Sequence, residues 1–553
     1  MKKKIDKTNF IKNIILKDLF ESKKKLITRF PPEPNGYLHI GHAKAIFLNF
    51  GMSSFYKNSH CNLRFDDTNP GKSKKTFIES IIEDIKWLGF NIKDSSIYYA
   101  SDYFEEFYKL AVNLIKKEEA YVCDMNIEKA KSYRGTLYSP GKNSPYRERS
   151  ITENLSKFHK MKEGFFQEGE CVLRAKIDMY SGNINLRDPV LYRIKKIEHP
   201  RTKSKWCVYP TYDFAHAASD AIEKITHSLC TLEFQDHRPL YNWIVEKCEF
   251  ENKPKQIEYS RLNLDYTITS KRKLKYFVDN KFVSGWNDPR MPTIQGLRRR
   301  GFTASSIKTL CDLVSVSKQE ANIDYTILEN IIRSELNQSA LRKNAVISPL
   351  LVEIDNMPRK TLDIPNHPKN SILGRRGVTI SKMIYLEKED FIEKLIDKNQ
   401  RKLSLKGRVR LLNACVIECY DLNKDKNGNI IKLKCRCLDD TFYGEKDYKS
   451  TSYDAILHWV DADNCINAEI RQYGKLLKVP SFLSNDFFNL KQSFNDHSLK
   501  VIRNAKLEYS LNKALPKTHF QFNRLGYFFS DPFDHSSEAP VFNKIVSLNN
   551  KKK

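Results

Sequence analysis

The stretch from Lys25 to Asp67 constrains the fold of this chain more than any other. A short β-type run, "KLITRF", enters the turn "PPEPNG"; "AKAIFLNFGMSSFY" then has helical character, and "CNLRFDD" returns as a strand. Strand, glycine turn, helix, strand is the opening of a doubly wound nucleotide-binding sheet. Gly36 permits the tight turn, and Gly41 lets a ligand approach the main chain without a Cβ in the way. A helix beginning near Gly41 points its leading N–H groups at whatever occupies the turn, which suits phosphate. His39 and His42 flank Ile40 and Gly41 at that point. Two imidazoles here either pack locally or donate hydrogen bonds to phosphoryl oxygens as charge develops.

A chain of 553 residues exceeds one ordinary core, and three to four domains are expected. Helices are predicted over about 74–88 and 102–118. Between about 120 and 205 the pattern turns to short mixed elements around the basic stretch "YRGTLYSPGKNSPYRERS", which reads as an insertion. "CVYPTYDFAHAASDAIEKITHSL" and "QIEYSRLNL" resume the alternation of strand and helix. From about 285 to 337 the reading is helical: Thr303 can cap "ASSIKTLCDLV", and Asp324 can cap a helix that presents Ile327, Leu328, Ile331 and Ile332 on one face. After Arg342 the chain becomes β-rich, with a hairpin signal at Asn427-Gly428.

Lys and Arg number 94 against 67 Asp and Glu, a formal charge of +27. Such an excess favours a polyanionic partner, nucleic acid first. Lys, Asn and Ile are abundant along the whole chain, however, so charge alone decides little. The basic start lacks the uninterrupted apolar run of about 7–15 residues of a secretory signal. No stretch approaches the ~18 apolar residues of a membrane span. The twelve cysteines are scattered. Cys415, Cys419, Cys435 and Cys437 could suggest zinc, but their alternating sequence favours packing on paired strands, so no metal site is assigned. A reduced, cytoplasmic protein with no membrane association is expected.

"FPPEPNGYLHIGHAKA" resembles the signature of the class I aminoacyl-tRNA synthetases, and the fuller stretch is similar to their glutaminyl branch. That family requires a second, distant element, a lysine loop. "YTITSKRKL", from Tyr266 to Leu274, resembles it, with Thr269 where the family usually has Met. Further similar segments, "DPRMPTIQGLRRRGF", "PVLYRI", "LHWV" and "EAPVFN", carry the likeness over roughly residues 8 to 545. It implies an α/β fold: a Rossmann-type catalytic domain split over 1–100 and 210–265, with an acceptor-stem-binding insertion at 101–209. A lysine-loop and helical subdomain at 266–338 follows. A proximal anticodon-binding β-barrel at 339–400 and 476–545, a distal one at 401–475 and a disordered tail at 546–553 complete it.

The resemblance also implies an activity: ATP-dependent activation of glutamine, then transfer to the 2′-hydroxyl of the terminal adenosine of its tRNA. Adenylate formation in this family requires bound tRNA. His39, His42 and Lys271, with Mg²⁺, would share the charge that develops when the α-carboxylate attacks the α-phosphate and pyrophosphate departs. Contacts to ATP are implied for Glu33, Pro34 and Asn35, and for the run His39, Ile40, Gly41, His42, Ala43, Lys44 and Ala45. Thr231, Arg261, Leu262, Thr269, Ser270 and Lys271 complete that set. Asp66 would pair with the substrate ammonium, Tyr212 would read the side-chain amide, and Arg29 and Gln256 would complete the pocket. Leu137 would wedge open the terminal base pair and Asp236 would read the stem as a base-edge acceptor. Lys318, Arg342, Gln521 and Arg524 match anticodon-reading positions, and the family is typically monomeric.

Taken one at a time, these residues have ordinary readings. Tyr212 could cap a core, Asp66 and Asp67 could end a strand, and each basic residue could be a solvated surface charge. Three alternatives also stand beside the leading one. The glutamyl branch of the β-barrel type shares the histidine segment and the acidic pair, although Asn35 and "TLEFQDHR" favour glutamine. A catalytically silent RNA-binding protein is encouraged only by Thr269. A nucleotidylyltransferase would leave over 200 residues of β-rich chain unexplained.

Overall fold

A computed structural model of the protein describes residues 9–22, 25–314, 316–395, 397, 400–443, 445, 449–482 and 486–549. It falls into two compact units, residues 1–263 with 311–323 and residues 264–310 with 324–553.

The first unit is built on parallel strands. Ile27–Phe30 pairs with His60–Phe65, which pairs with Ile97–Tyr99. On the other side, His227–Thr231 pairs in parallel with Lys255–Tyr259. Thr226 N–H donates to Ile27 O at 2.9 Å and places these two strands beside Ile27–Phe30. The chain therefore reverses direction of winding between Ile27–Phe30 and His227–Thr231, the position where open α/β sheets leave a ligand crevice. Ile27–Phe30 and His60–Phe65 are largely buried, Leu63 and Phe65 completely, and they carry buried polar residues, Thr28, Arg29, Asn62 and Arg64, among their apolar ones.

The insertion carries a four-stranded antiparallel sheet, Ala120–Cys123, Val172–Ala175, Val190–Ile194 and Val208–Pro210, in sequence order. Helices Phe104–Lys116 and Ile151–Lys162 cover it. Phe107, Phe158, Tyr192, Trp206 and Phe214 form its core, and Tyr108 stacks on Phe158 at 4.8 Å.

In the second unit, Asp324 caps Tyr325–Ser339 as expected, its carboxylate accepting from Thr326 N–H at 2.8 Å. The buried stripe is Tyr325, Leu328, Ile332 and Leu336, whereas Ile327 is exposed. Ile327 does not belong to the i, i+3, i+4 series that starts at Tyr325.

Two seven-stranded sheets follow. One has Leu341–Lys343 and Ala345–Val346 at its opposite edges, although a single residue, Asn344, separates them in sequence. The other has edges Ala455–Leu457 and Val460–Asp461, separated only by His458 and Trp459. A sheet whose two edges are joined by one or two residues must curl back on itself, so both are barrel-like. The sequence division at 400 differs from the hydrogen bonding. Pro349–Ile354 pairs with Ile430–Cys437 and with Met383–Glu387, so 349–387 shares a sheet with 408–461.

The predicted hairpin joins Val416–Lys424 to Ile430–Cys437 with Gly428 at φ 81°. Cys419 faces Cys435 across it, and all four cysteines of this region are buried in the barrel core. Of the expected tail, Val546 ends the strand Val541–Val546, and 550–553 lie outside the described residues. Among the described residues no helix is long and apolar enough to cross a membrane.

Candidate active site and nucleic-acid contacts

The turn after Ile27–Phe30 delivers His39 to the start of the helix Ile40–Phe55. Gly41 N–H donates to His39 Nδ1 at 3.2 Å, and His39 N–H donates to His42 Nδ1 at 3.0 Å. The two histidines thus form a reciprocal capping box, with ring centroids 3.8 Å apart. A neutral imidazole whose Nδ1 accepts carries its proton on Nε2, so both rings are fixed as Nε2 donors. Gly41 serves this packing: an added Cβ would lie 3.0 Å from His39 Cε1. The room at Gly41 is therefore taken by His39, not left open for a ligand as the sequence suggested.

The rest of the segment divides by burial. Ile40, Ala43 and Lys44 are buried, and Ala45 is half-buried. Lys44 Nζ donates to Ser260 O at 2.7 Å, and burial lowers its pKa. Its ammonium ties the helix to the end of Lys255–Tyr259. Asn35 Nδ2 donates to Glu33, and Pro34 O accepts from Lys74 N–H at 3.1 Å. Near the strand ends, Glu233 accepts from Thr231 Oγ1 at 3.3 Å and pairs with Arg261 at 2.9 Å. Leu262 is buried, its carbonyl 3.5 Å from the Cβ position of Gly41. The structure thus gathers His39, Gly41 and Leu262 at the crevice; Glu233, which joins Thr231 to Arg261, was missed in the sequence.

Beside it lies a buried polar pocket. Arg29 is only 1% exposed and donates in every direction. Its partners are Asp220 at 3.1 Å, Leu229 O at 2.9 Å, and His216 and Ser228, each at 2.7 Å. Arg64 also pairs with Asp220, at 2.7 Å, and Tyr241 Oη donates to it at 3.0 Å. Burial alone would raise the Asp220 carboxyl, but Arg29 and Arg64 hold it well below the usual range. Tyr212 stacks against His216 and lies 5.4 Å from Phe234. Gln256 Nε2 donates to Phe234 O at 3.1 Å and to Glu258 at 3.0 Å. Both partners can only accept, which fixes the amide with its oxygen turned away from them.

Asp66 is the anomaly of this pocket. It is buried, Oδ1 has no hydrogen-bond partner, and burial pushes its carboxyl up to about 6 despite Arg64 and His216 nearby. A buried, half-satisfied carboxylate is costly and calls for a cation. Arg29, Asp66, Tyr212 and Gln256, four residues distant in sequence, are therefore brought together. Sequence reasoning missed Arg64, His216, Asp220 and Ser228. One signal was present: Tyr212, His216 and Asp220 recur every four residues on an otherwise alanine-rich helix, Tyr212–Ile222.

The family model for the catalytic domain of "tRNA synthetases class I (E and Q)" matches residues 25–338. Two models for the anticodon-binding domain of the same family match 340–438 and 456–531. The chain belongs to the class I tRNA synthetases of the E and Q type. Its curated relatives include a glutamine--tRNA ligase of Clostridium perfringens, 49% identical over 98% of each chain. Those of Clostridium kluyveri, 49% identical over 98% of this chain and 97% of its own, and of Aliivibrio fischeri, 48% identical over 98% of each, are similar.

The other segments singled out in this synthetase are placed as follows. In the second unit, Ser270 is the N-cap residue of the helix Lys271–Asp279, and Leu274 N–H donates to Ser270 O at 2.9 Å. Ile268 anchors the loop in a core with Leu274, Phe277 and Phe494, while Thr269 is half-buried. Leu137 is 73% exposed at the tip of a loop in the insertion. Arg187 NH1 shapes that loop by donating to the carbonyls of Arg134, Thr136 and Ser139 at 2.9, 2.8 and 2.8 Å. Asp236 is exposed, and its carbonyl accepts from Asn183 Nδ2 at 2.7 Å.

Arg342 and Gln521 are register partners on adjacent strands of one barrel. Arg342 NH2 donates to Asn337 Oδ1 at 2.9 Å, and Gln521 Oε1 is buried without a partner. Arg524 follows at the tip of the next hairpin. Lys318 belongs to the first unit, where its ammonium lies 5.7 Å over the Phe10 ring.

Proposed function

We propose that this chain is a glutamine–tRNA ligase that activates glutamine with MgATP and transfers it to the 2′-hydroxyl of the terminal adenosine of its tRNA. The observation that carries this reading is near-full-length identity of 47–49% to ligases of that name, over 98% of this chain. The pocket supports it. Asp66 offers an unmatched carboxylate to a substrate ammonium. Tyr212 lines the same pocket, as does Gln256, whose amide presents an acceptor to a side-chain NH₂. A carboxylate in place of that NH₂ would leave this acceptor unpaired, and such mismatches discriminate strongly. Arg29 acts as a fixed wall, its donors already committed to Asp220, Leu229, His216 and Ser228.

For the chemical step, the histidines aim Nε2–H donors at phosphoryl oxygens. Their capping bonds are what set that tautomer. Oriented donors of this kind lower the barrier as charge builds on the α-phosphate. Lys271, assigned from the sequence, neutralises the departing pyrophosphate. Mg²⁺ enters with ATP as part of the substrate. The insertion, with Leu137 at its exposed tip, takes the acceptor stem, and the barrels take the anticodon. The working form is a cytoplasmic monomer.

The test is charging of purified tRNA by the full chain with glutamine and with glutamate in parallel. Charging with glutamine only is expected; preferential charging with glutamate would assign the chain to the glutamyl branch instead. Absence of ATP–pyrophosphate exchange in the presence of tRNA would make it a silent RNA-binding protein.

A further inference from the structure

Arg524 sits in the hairpin turn between His519–Phe522 and Gly526–Ser530, in the left-handed backbone region at φ 64°. Its guanidinium is clasped. NH1 and NH2 both donate to Asp390, NH2 to Oδ1 at 2.8 Å, and NH1 lies 3.4 Å from His458 Nδ1.

Both partners are themselves held. Asp390 closes the short turn Lys388–Asp390, which follows Met383–Glu387. Glu387 accepts from the N–H groups of Ile347 and Ser348 at 2.6 and 2.9 Å. His458 is buried at the point where the second barrel closes, its Nε2 3.7 Å from Glu387.

Guanidinium has five N–H donors. Asp390 engages the end formed by NH1 and NH2, and His458 backs the outer face of NH1. The Nε–H and the second hydrogen of NH2 remain, parallel to each other, on a side chain that is 37% exposed. A two-donor edge of that form matches paired acceptors, either O6 and N7 of guanine or two phosphate oxygens. Unstacked nucleotides present such pairs.

We propose that Asp390 and His458 are positioning residues that lock Arg524 so that its Nε–NH2 edge reads paired acceptors on an anticodon nucleotide. This rests on the reading of Arg524 as an anticodon contact. Asp390 does not touch the nucleic acid; it removes the rotational freedom of the reader before binding.

Aminoacylation kinetics of the full chain with varied tRNA concentration test the proposal. Asp390→Ala is expected to raise KM for tRNA about tenfold with kcat changed less than about threefold. Asp390→Asn, which keeps the shape and one acceptor, should fall between, and its melting curve controls for folding. In an Arg524→Ala background Asp390→Ala should add nothing. A fall in KM on Asp390→Ala, or a full additive effect in the Arg524→Ala background, would overturn the proposal. So would a normal KM for Asp390→Ala beside a raised KM for Arg524→Ala. An unchanged KM for Arg524→Ala itself would instead remove the anticodon reading on which the proposal stands. Transcripts carrying 7-deazaguanosine in the anticodon separate the two acceptor sources. Loss of the Asp390 effect on them assigns the pair to a base, and its retention assigns it to phosphate.

Discussion

Asp66 should be a place where stability is exchanged for binding. Its carboxyl is raised from the ordinary 3.8 to about 6 by burial. A rise of about two pH units means that ionising Asp66 in the unliganded fold costs about 3 kcal/mol. The sign follows from a folded value above the unfolded one: the cost is complete above pH 6, fades as pH falls through that value, and vanishes below 3.8. Asp66→Asn, neutral and of the same shape, removes it. Urea denaturation should therefore find the variant about 3 kcal/mol more stable than wild type near pH 7.5, and by under about 1 kcal/mol near pH 4. The same substitution should raise KM for glutamine on the order of 100-fold, because the substrate ammonium loses its counter-charge. In wild type that KM should climb as pH drops below 6, and in the variant this dependence should disappear. A stability difference that is equal at both pH values, or a variant no more stable than wild type near neutrality, would refute the reasoning.

Three further outcomes are expected. Lys271→Ala should keep the fold and lose roughly 10²–10³ in tRNA-dependent pyrophosphate exchange, and normal exchange would remove Lys271 from the chemical step. Asp220→Ala leaves Arg29 and Arg64 buried without their shared carboxylate, so denaturant titration should show a loss of roughly 3–5 kcal/mol. Leu137→Ala should raise KM for tRNA while glutamine affinity and the melting curve stay unchanged, since the side chain is 73% exposed and holds nothing in place.

The catalytic unit was largely legible in the sequence, because a Pro- and Gly-rich turn follows the strand Ile27–Phe30 and two histidines mark the start of the helix Ile40–Phe55. The order of strands into two barrels was not. Strand pairing across 80 residues, such as Glu353 with Lys434, leaves no local pattern. The edge-joining residues Asn344, His458 and Trp459 look ordinary until the sheets are seen to close on them. The pocket was half legible. Residues that would touch a substrate carry the family resemblance, whereas Asp220, which orients Arg29, lies 191 positions away from it and reads as one more helical acid.

The capping geometry of the paired histidines also fixes their proton positions. As caps, His39 and His42 satisfy the leading N–H groups of a helix that would otherwise need solvent or ligand. The same two bonds place the proton of each ring on Nε2, the state a phosphate donor requires. Gly41 belongs to this arrangement, since a side chain there would displace the His39 ring. Spacing, tautomer and glycine are thus one constraint.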